Sequence, residues 1–205
     1  MPRKTDKRIR LIEAAKVLIH QQGFNLTTLA DIAQEADVPL GNVYYYFKTK
    51  EAIGIAVIER RATEWAELLA SWSENADPLA RLFSLVDHGM GELDLIARYG
   101  CPIGGLCQEL GKQGGSLADL AAKLLHDILE WSEEQFKGLG FSDRSKELAL
   151  SLISNIQGMY LLTHTFKDPK LASRQSDSIK HWLESLVDRK VTTTAAPVSA
   201  EAVAG

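Results

Sequence analysis

TLADIAQEADVPLGNVYYYF, residues 28–47, reads as two short helices joined by a tight turn. Thr28 stands three residues before Asp31, a capping-box-like start. The hydroxyl can satisfy a free backbone N–H while the acid sits at the positive end of the helix. That helix ends near Ala36, where Asp37 takes a left-handed turn at modest cost. Pro39 pre-sets the backbone for the next helix, which runs through Phe47. Upstream, Leu11, Ile12, Ala15, Leu18 and Ile19 share one face of a helix predicted over residues 7–22. Gly23 is placed to end it in the left-handed conformation, with Phe24 packing back. Downstream, Thr49 caps a long helix that reaches about Trp72.

One helix followed by two short ones around a tight turn forms a helix-turn-helix unit. The second short helix of such a unit enters the major groove of DNA. Two features of residues 39–47 bear on that role. Gly41 inside a helix costs up to about 1 kcal/mol against Ala; close approach of backbone to DNA and close helix–helix packing both account for it. Tyr44, Tyr45 and Tyr46 are consecutive, and a helix turns roughly 100° per residue, so they cannot all face one core. Val43 and Phe47 make the buried stripe. Tyr44 and Tyr45 then point outward, where a phenol offers a donor to phosphate and a flat body to sugar or a thymine methyl. Tyr46 is expected to pack with its hydroxyl satisfied locally. Lys50 brings a cation to the free N–H groups of the next helix, an arrangement suited to a phosphate.

The stretches Thr28–Ala33, Ala36–Val38, Gly41–Phe47 and Lys50–Ile53 resemble the TetR family at fixed spacing, a likeness covering about residues 7–55. The resemblance implies an all-α fold of about nine helices, a cytoplasmic bacterial regulator rather than an enzyme, and repression as the usual sign. It implies phosphate contacts from Thr28, Tyr45 and Lys50, and base or groove-floor contacts from Leu40, Gly41, Asn42 and Tyr44. Asp37 stands where the family usually has Gly, Pro39 where it has Ser or Thr, and Tyr46 where it often has His. Leu40 offers no hydrogen bond, so readout leans on Asn42, Tyr44, backbone and DNA shape. The arm Arg3, Lys4, Lys7 and Arg8 either adds phosphate or minor-groove contacts or is a solvated, mobile end.

The rest of the chain is helical by periodicity, with no sustained period-two segment. Helices are expected over 79–97, 106–111, 117–137, 144–166 and 176–190. The expected organisation is a DNA-binding head over 1–50, a helical effector and dimerisation domain over 51–190, and a disordered tail over 191–205. Leu148–Phe166 lacks Asp, Glu, Lys and Arg, but Ser151, Ser154, Asn155, Gln157, Thr163, His164 and Thr165 interrupt it. It reads as a helix covered by protein rather than lipid. The net charge of -4 hides an asymmetry: residues 1–50 carry eight basic and five acidic side chains, leaving -7 on the remainder. A basic head on an acidic body fits a phosphate-facing first segment; chance surface charge fits as well. No signal peptide is evident and two cysteines form no disulfide framework, so a reducing cytoplasm is expected.

By the same resemblance the last two helices pair two copies into a four-helix bundle. The homodimer would set its recognition helices about 34–36 Å apart on a palindromic double-stranded operator. The family's effector cavity lies between head and bundle. Candidates to line it are Phe83, Met90, Leu106, Cys107, Leu110, Trp131, Gln157, Tyr160 and His164, with ordinary core packing the competing role for each. Such a set suits a small, largely apolar effector. No cofactor or metal is expected: Cys101 and Cys107 lack zinc-ligand spacing and the five histidines form no local pair. The segment Gly100–Cys107 is read as a packing turn, with a thiol sensor of oxidants or electrophiles at Cys107 or Cys101 as the alternative. A small all-helical enzyme and a dimeric interaction module without DNA binding are the more distant readings.

Overall fold

The computed structural model describes residues 4–195, with side chains over 6–190. Arg3, the Lys4 side chain and the expected tail beyond Ala195 lie outside the described residues. Helix α1 (Lys4–Gln22) packs on α2 (Leu29–Glu35), and α2 leads through a tight turn into α3 (Leu40–Tyr46). Thr28 caps α2 in a complete capping box: Asp31 N–H donates to the Thr28 hydroxyl, and the Asp31 carboxylate accepts from Thr28 N–H. Asp37 adopts φ 49° in the turn. Arg10 of α1 holds that turn, donating to the carbonyls of Ala36 and Asp37 and pairing with the Asp37 carboxylate at 3.2 Å. Leu11, Ala15, Ile32, Val43 and Phe47 close the small core of this head.

Thr49 caps α4 (Lys50–Ser73), which leaves the head and becomes a strut of the body. The body comprises α5 (Pro78–Asp87), α6 (Leu93–Tyr99), α7 (Pro102–Gly111), α8 (Ser116–Gly138), α9 (Ser145–Phe166) and α10 (Pro169–Ala195). Helix α8 is central, packed against α4, α5, α7 and α9, while α9 also contacts α6 and α10. Buried apolar residues form one continuous cluster from Leu11 in the head to Leu183 in α10. Described residues form no strand, and no described helix is long and apolar enough to cross a membrane.

Three boundaries differ from the sequence expectation. The single helix expected over 79–97 is broken by a 3₁₀ turn at Met90–Glu92. Gly89 directly precedes this turn, and no side chain fits there: the Tyr160 hydroxyl occupies the place a Cβ would need. Helix α7 begins at Pro102 rather than near Leu106. Pro102 suits a first helical position, and the Cys101 sulfur caps it by accepting from Gly104 N–H at 3.3 Å. Helix α10 begins at Pro169 rather than Ser176 and continues to Ala195. Lys167 ends α9 in the left-handed conformation, and the Asp168 carboxylate accepts from Lys170 N–H at 3.0 Å.

Candidate nucleic-acid interface and effector cavity

The outer face of α3 is open. Val43 and Phe47 anchor the helix in the head core, while Leu40, Tyr44 and Tyr45 are exposed, Tyr45 by 62%. A Cβ at Gly41 would meet nothing within 4 Å, so helix packing does not explain this glycine. Asn42 is half-buried beside it. Tyr45 and Tyr46 stack edge to face at 5.0 Å, with Tyr46 the more buried of the two. Thr28 is exposed at the start of α2. Lys50 is held at the head's edge: its ammonium donates to Asn25 O at 2.7 Å and lies 4.8 Å over the Phe24 ring. The Arg8 guanidinium sits 5.4 Å over the Phe47 ring. Thus Thr28, Leu40, Gly41, Asn42, Tyr44, Tyr45 and Lys50 all lie at the surface or half-buried, on α2, α3 and the start of α4.

A second feature lies inside the molecule. A cavity of about 760 Å³ is enclosed by α1, α4 to α9 and the turn after α5, within the size range of small-molecule sites. Of the nine residues singled out in the sequence, Gln157 and Tyr160 line it. The other seven are placed elsewhere. Leu106 and Leu110 are buried in the core, and Phe83 and Met90 pack against it. The Cys107 thiol donates to Ala121 O at 3.1 Å, and Trp131 Nε1–H donates to the Ser73 hydroxyl at 3.0 Å. His164 Nδ1 lies 3.2 Å from Ala97 O.

Sequence reasoning passed over His20, Arg61 and His88 on the polar wall; Cys101, weighed there as a thiol sensor, lines the cavity too. His20 Nε2–H donates to Gly100 O at 2.8 Å, and burial lowers its pKa, which keeps it neutral. Burial does the same to His88, whose ring sits 4.8 Å from Trp65 and 5.5 Å from Trp72. Burial pushes the Tyr160 phenol above its ordinary value, so it stays protonated. Arg61 is 8% exposed, surprising for a residue in the charged run Glu59-Arg60-Arg61. Its position did carry a signal: Val57, Arg61, Trp65 and Leu68 follow one face of α4 at helical spacing.

Head and cavity are joined by α7. Cys101, Pro102 and Ile103 at its start line the cavity. Near its end, the two Glu109 carboxylate oxygens accept from Phe24 N–H and Asn25 N–H, each at 2.7 Å. Gln113, just beyond, donates to Asn25 Oδ1 at 2.7 Å. On the exposed side of α8, His126, Asp127 and Glu130 bring ligand atoms within 4.8 Å of one another, a solvated group far less enclosed than the cavity.

Residues 11–57 match the family described as bacterial regulatory proteins, tetR family. An HTH-type transcriptional regulator of Lactococcus lactis subsp. lactis is 26% identical over 189 residues, covering 88% of this chain and 94% of its own. The HTH-type transcriptional repressor NemR of Escherichia coli (strain K12) is 26% identical over 151 residues, covering 73% of this chain and 66% of its own. The crystal structure of a TetR transcriptional regulator from Legionella pneumophila shares the fold, with a TM-score of 0.77 at 22% identity over 87% of this chain and 96% of that one. The helix-turn-helix head is thus that of the tetR family of bacterial regulatory proteins, and the all-helical body shares the fold of a solved TetR transcriptional regulator.

Proposed function

We propose that the chain is a cytoplasmic repressor that binds a palindromic operator as a homodimer and is released when a small molecule fills the cavity. The observation that carries this reading is the bare outer face of α3. Leu40, Tyr44 and Tyr45 would be better buried if the helix served only to pack, yet they are exposed, and Gly41 beside them faces open space. Thr28 and Lys50 flank that face and are assigned to phosphate. Repression is what the name of the NemR relative states of that protein; here it is the proposed sign.

Pairing is assigned to α9 and α10. Leu150, Leu161, Leu162 and Phe166 of α9 are exposed, at spacings that keep them near one side of the helix. An apolar stripe of this kind calls for a partner surface, and a second copy would present the same one. Selection of DNA bound by the full chain from a random pool tests the whole reading. Two inverted half-sites with centres about one helical turn apart are expected. Enrichment of no sequence, or of a single asymmetric site, would contradict it.

Cys101 on the cavity wall supports a second reading, release by an electrophile or oxidant. Cys107 is the poorer candidate of the two: burial pushes its thiol up to about 11, and the thiolate is the reactive form. Cys101→Ser should then bind the operator yet resist release by N-ethylmaleimide. Equal release of variant and parent would remove this reading.

A further inference from the structure

Three cations and two carboxylates meet where α1 crosses α4. Lys16 pairs with Glu13 at 2.8 Å and with Glu64. Arg60 pairs with the same two acids, at 2.9 Å and 3.1 Å. Both carboxylates pair directly with those two cations, while Arg61 feels the charge of Glu64 and Glu13 without pairing with either. It has no ion-pair partner among the described residues. Its Nη2 reaches Lys16 O, at 3.4 Å, and its buried Nε has no hydrogen-bond partner among the described residues. An arginine does not escape by losing its proton, and a buried charge without a counter-charge is among the costlier features a fold can carry. The other nitrogenous groups on the wall do not change the count, because His20 and His88 are held neutral by burial. Glu92, the remaining acid on the wall, is exposed.

We propose that the cavity is built for an organic monocarboxylate, with Arg61 as its counter-ion. The proposal rests on the reading of this cavity as the effector site. One surplus positive charge matches one negative charge, which favours a carboxylate over a phosphate dianion. Arg61 lines the cavity, and its guanidinium carries N–H donors beyond the one that reaches Lys16 O, a planar fork of the kind that a carboxylate accepts in bidentate fashion. Beyond it the wall is apolar: Trp65, Leu125, Ile128, Ile153 and Ile156 would cover a hydrocarbon or aromatic body. The ligand is therefore amphipathic, and its acid end is recognised from α4, the helix that begins at Lys50 in the head.

Calorimetric titration of the full-length dimer with decanoate, 2-naphthoate and their primary amides tests this directly. At least one acid is expected to bind about tenfold or more tightly than its amide, the scale of one charge-assisted hydrogen bond. Arg61→Met should bind that acid no better than the amide, and Arg61→Lys should retain part of the preference. The acid should raise the melting temperature of the parent but not of Arg61→Met. The parent's acid-to-amide comparison needs no variant, so a poorly folding Arg61→Met would not rescue the idea. If the amides bind as tightly as the acids and also release the operator, the anion assignment fails while the effector cavity stands. If neither class binds, both fall.

Discussion

Lys50 stands where the head, α4 and the assigned DNA face meet, and its side chain already has work within the fold. It donates to Asn25 O and covers the Phe24 ring, so a loss on mutation has two sources that salt can separate. Lys50→Ala should weaken operator binding across sequences and reduce the slope of log affinity against log salt by about 1. Weaker binding with an unchanged slope would assign Lys50 to the Asn25 turn alone. Gly41 makes the opposite trade. Ala there meets open space, so Gly41→Ala should stabilise the free protein by up to about 1 kcal/mol while weakening DNA binding. Equal or tighter binding would show that the backbone at 41 does not approach the duplex. His20 and His88 add a pH term. Both have pKa values lowered by burial from an unfolded value of 6.5. The unfolded chain therefore takes up protons that the fold does not, and stability present above about pH 6.5 is lost as pH falls toward the folded values. Melting temperatures measured from about pH 7.5 to about pH 5.5 should decline, and His20→Gln should flatten the decline; an unaltered slope would exclude His20 as a source.

At the scale of elements, α7 touches both cavity and head. Its first turn touches the cavity through Cys101, Pro102 and Ile103, and its Glu109 caps the two N–H groups that open the α1–α2 turn. Both hydrogen bonds are charge-assisted, the stronger kind. A ligand that shifts the start of α7 therefore moves the same rod that grips Phe24 and Asn25. Glu109→Gln retains shape but only one acceptor oxygen. It is expected to keep operator affinity within a few-fold and to lower the ligand's power to release DNA, since a ligand shifts an equilibrium only by its differential affinity for the two states. Comparison of ligand affinity with and without bound operator measures this. Coupling equal to the parent's would place the path elsewhere, with α4 the next candidate because it carries both Lys50 and Arg61.

For the whole molecule, the decisive question is what covers α9. Leu161 and Leu162 are each more than half exposed in the single chain. Gly158 leaves open space beside them, a place where a second backbone can come close. If α9 pairs two copies as proposed, Leu162→Glu should leave a monomer by sedimentation and lose operator affinity steeply, because two half-sites must be held at once. A dimer that survives this change would move the pairing surface away from α9. The head, by contrast, should keep its fold, since its own core of Leu11, Ala15, Ile32, Val43 and Phe47 is remote from that face.

The helices of the head could be read from one chain because their signals are local. Thr28 with Asp31, Gly23, Asp37 and Thr49 each mark a helix end through groups no more than a few residues apart. Likewise, Val43 and Phe47 against Tyr44 and Tyr45 needed only the pitch of a helix to be sorted into inside and outside. The cavity was not legible in that way. Its wall is drawn from α1, α4 and five further helices, and whether a given Leu or Cys faces it depends on how those helices cross. Hence Leu106, Cys107 and Leu110 lie in the core or against it, while Arg61 and His20, not among the residues singled out, line the cavity. The glycine at 89 follows the same logic, for the group that excludes a side chain there is Tyr160, seventy-one residues away. Local chemistry along the chain determined the helix-turn-helix head; only the packing of distant helices decided which side chains would line the cavity.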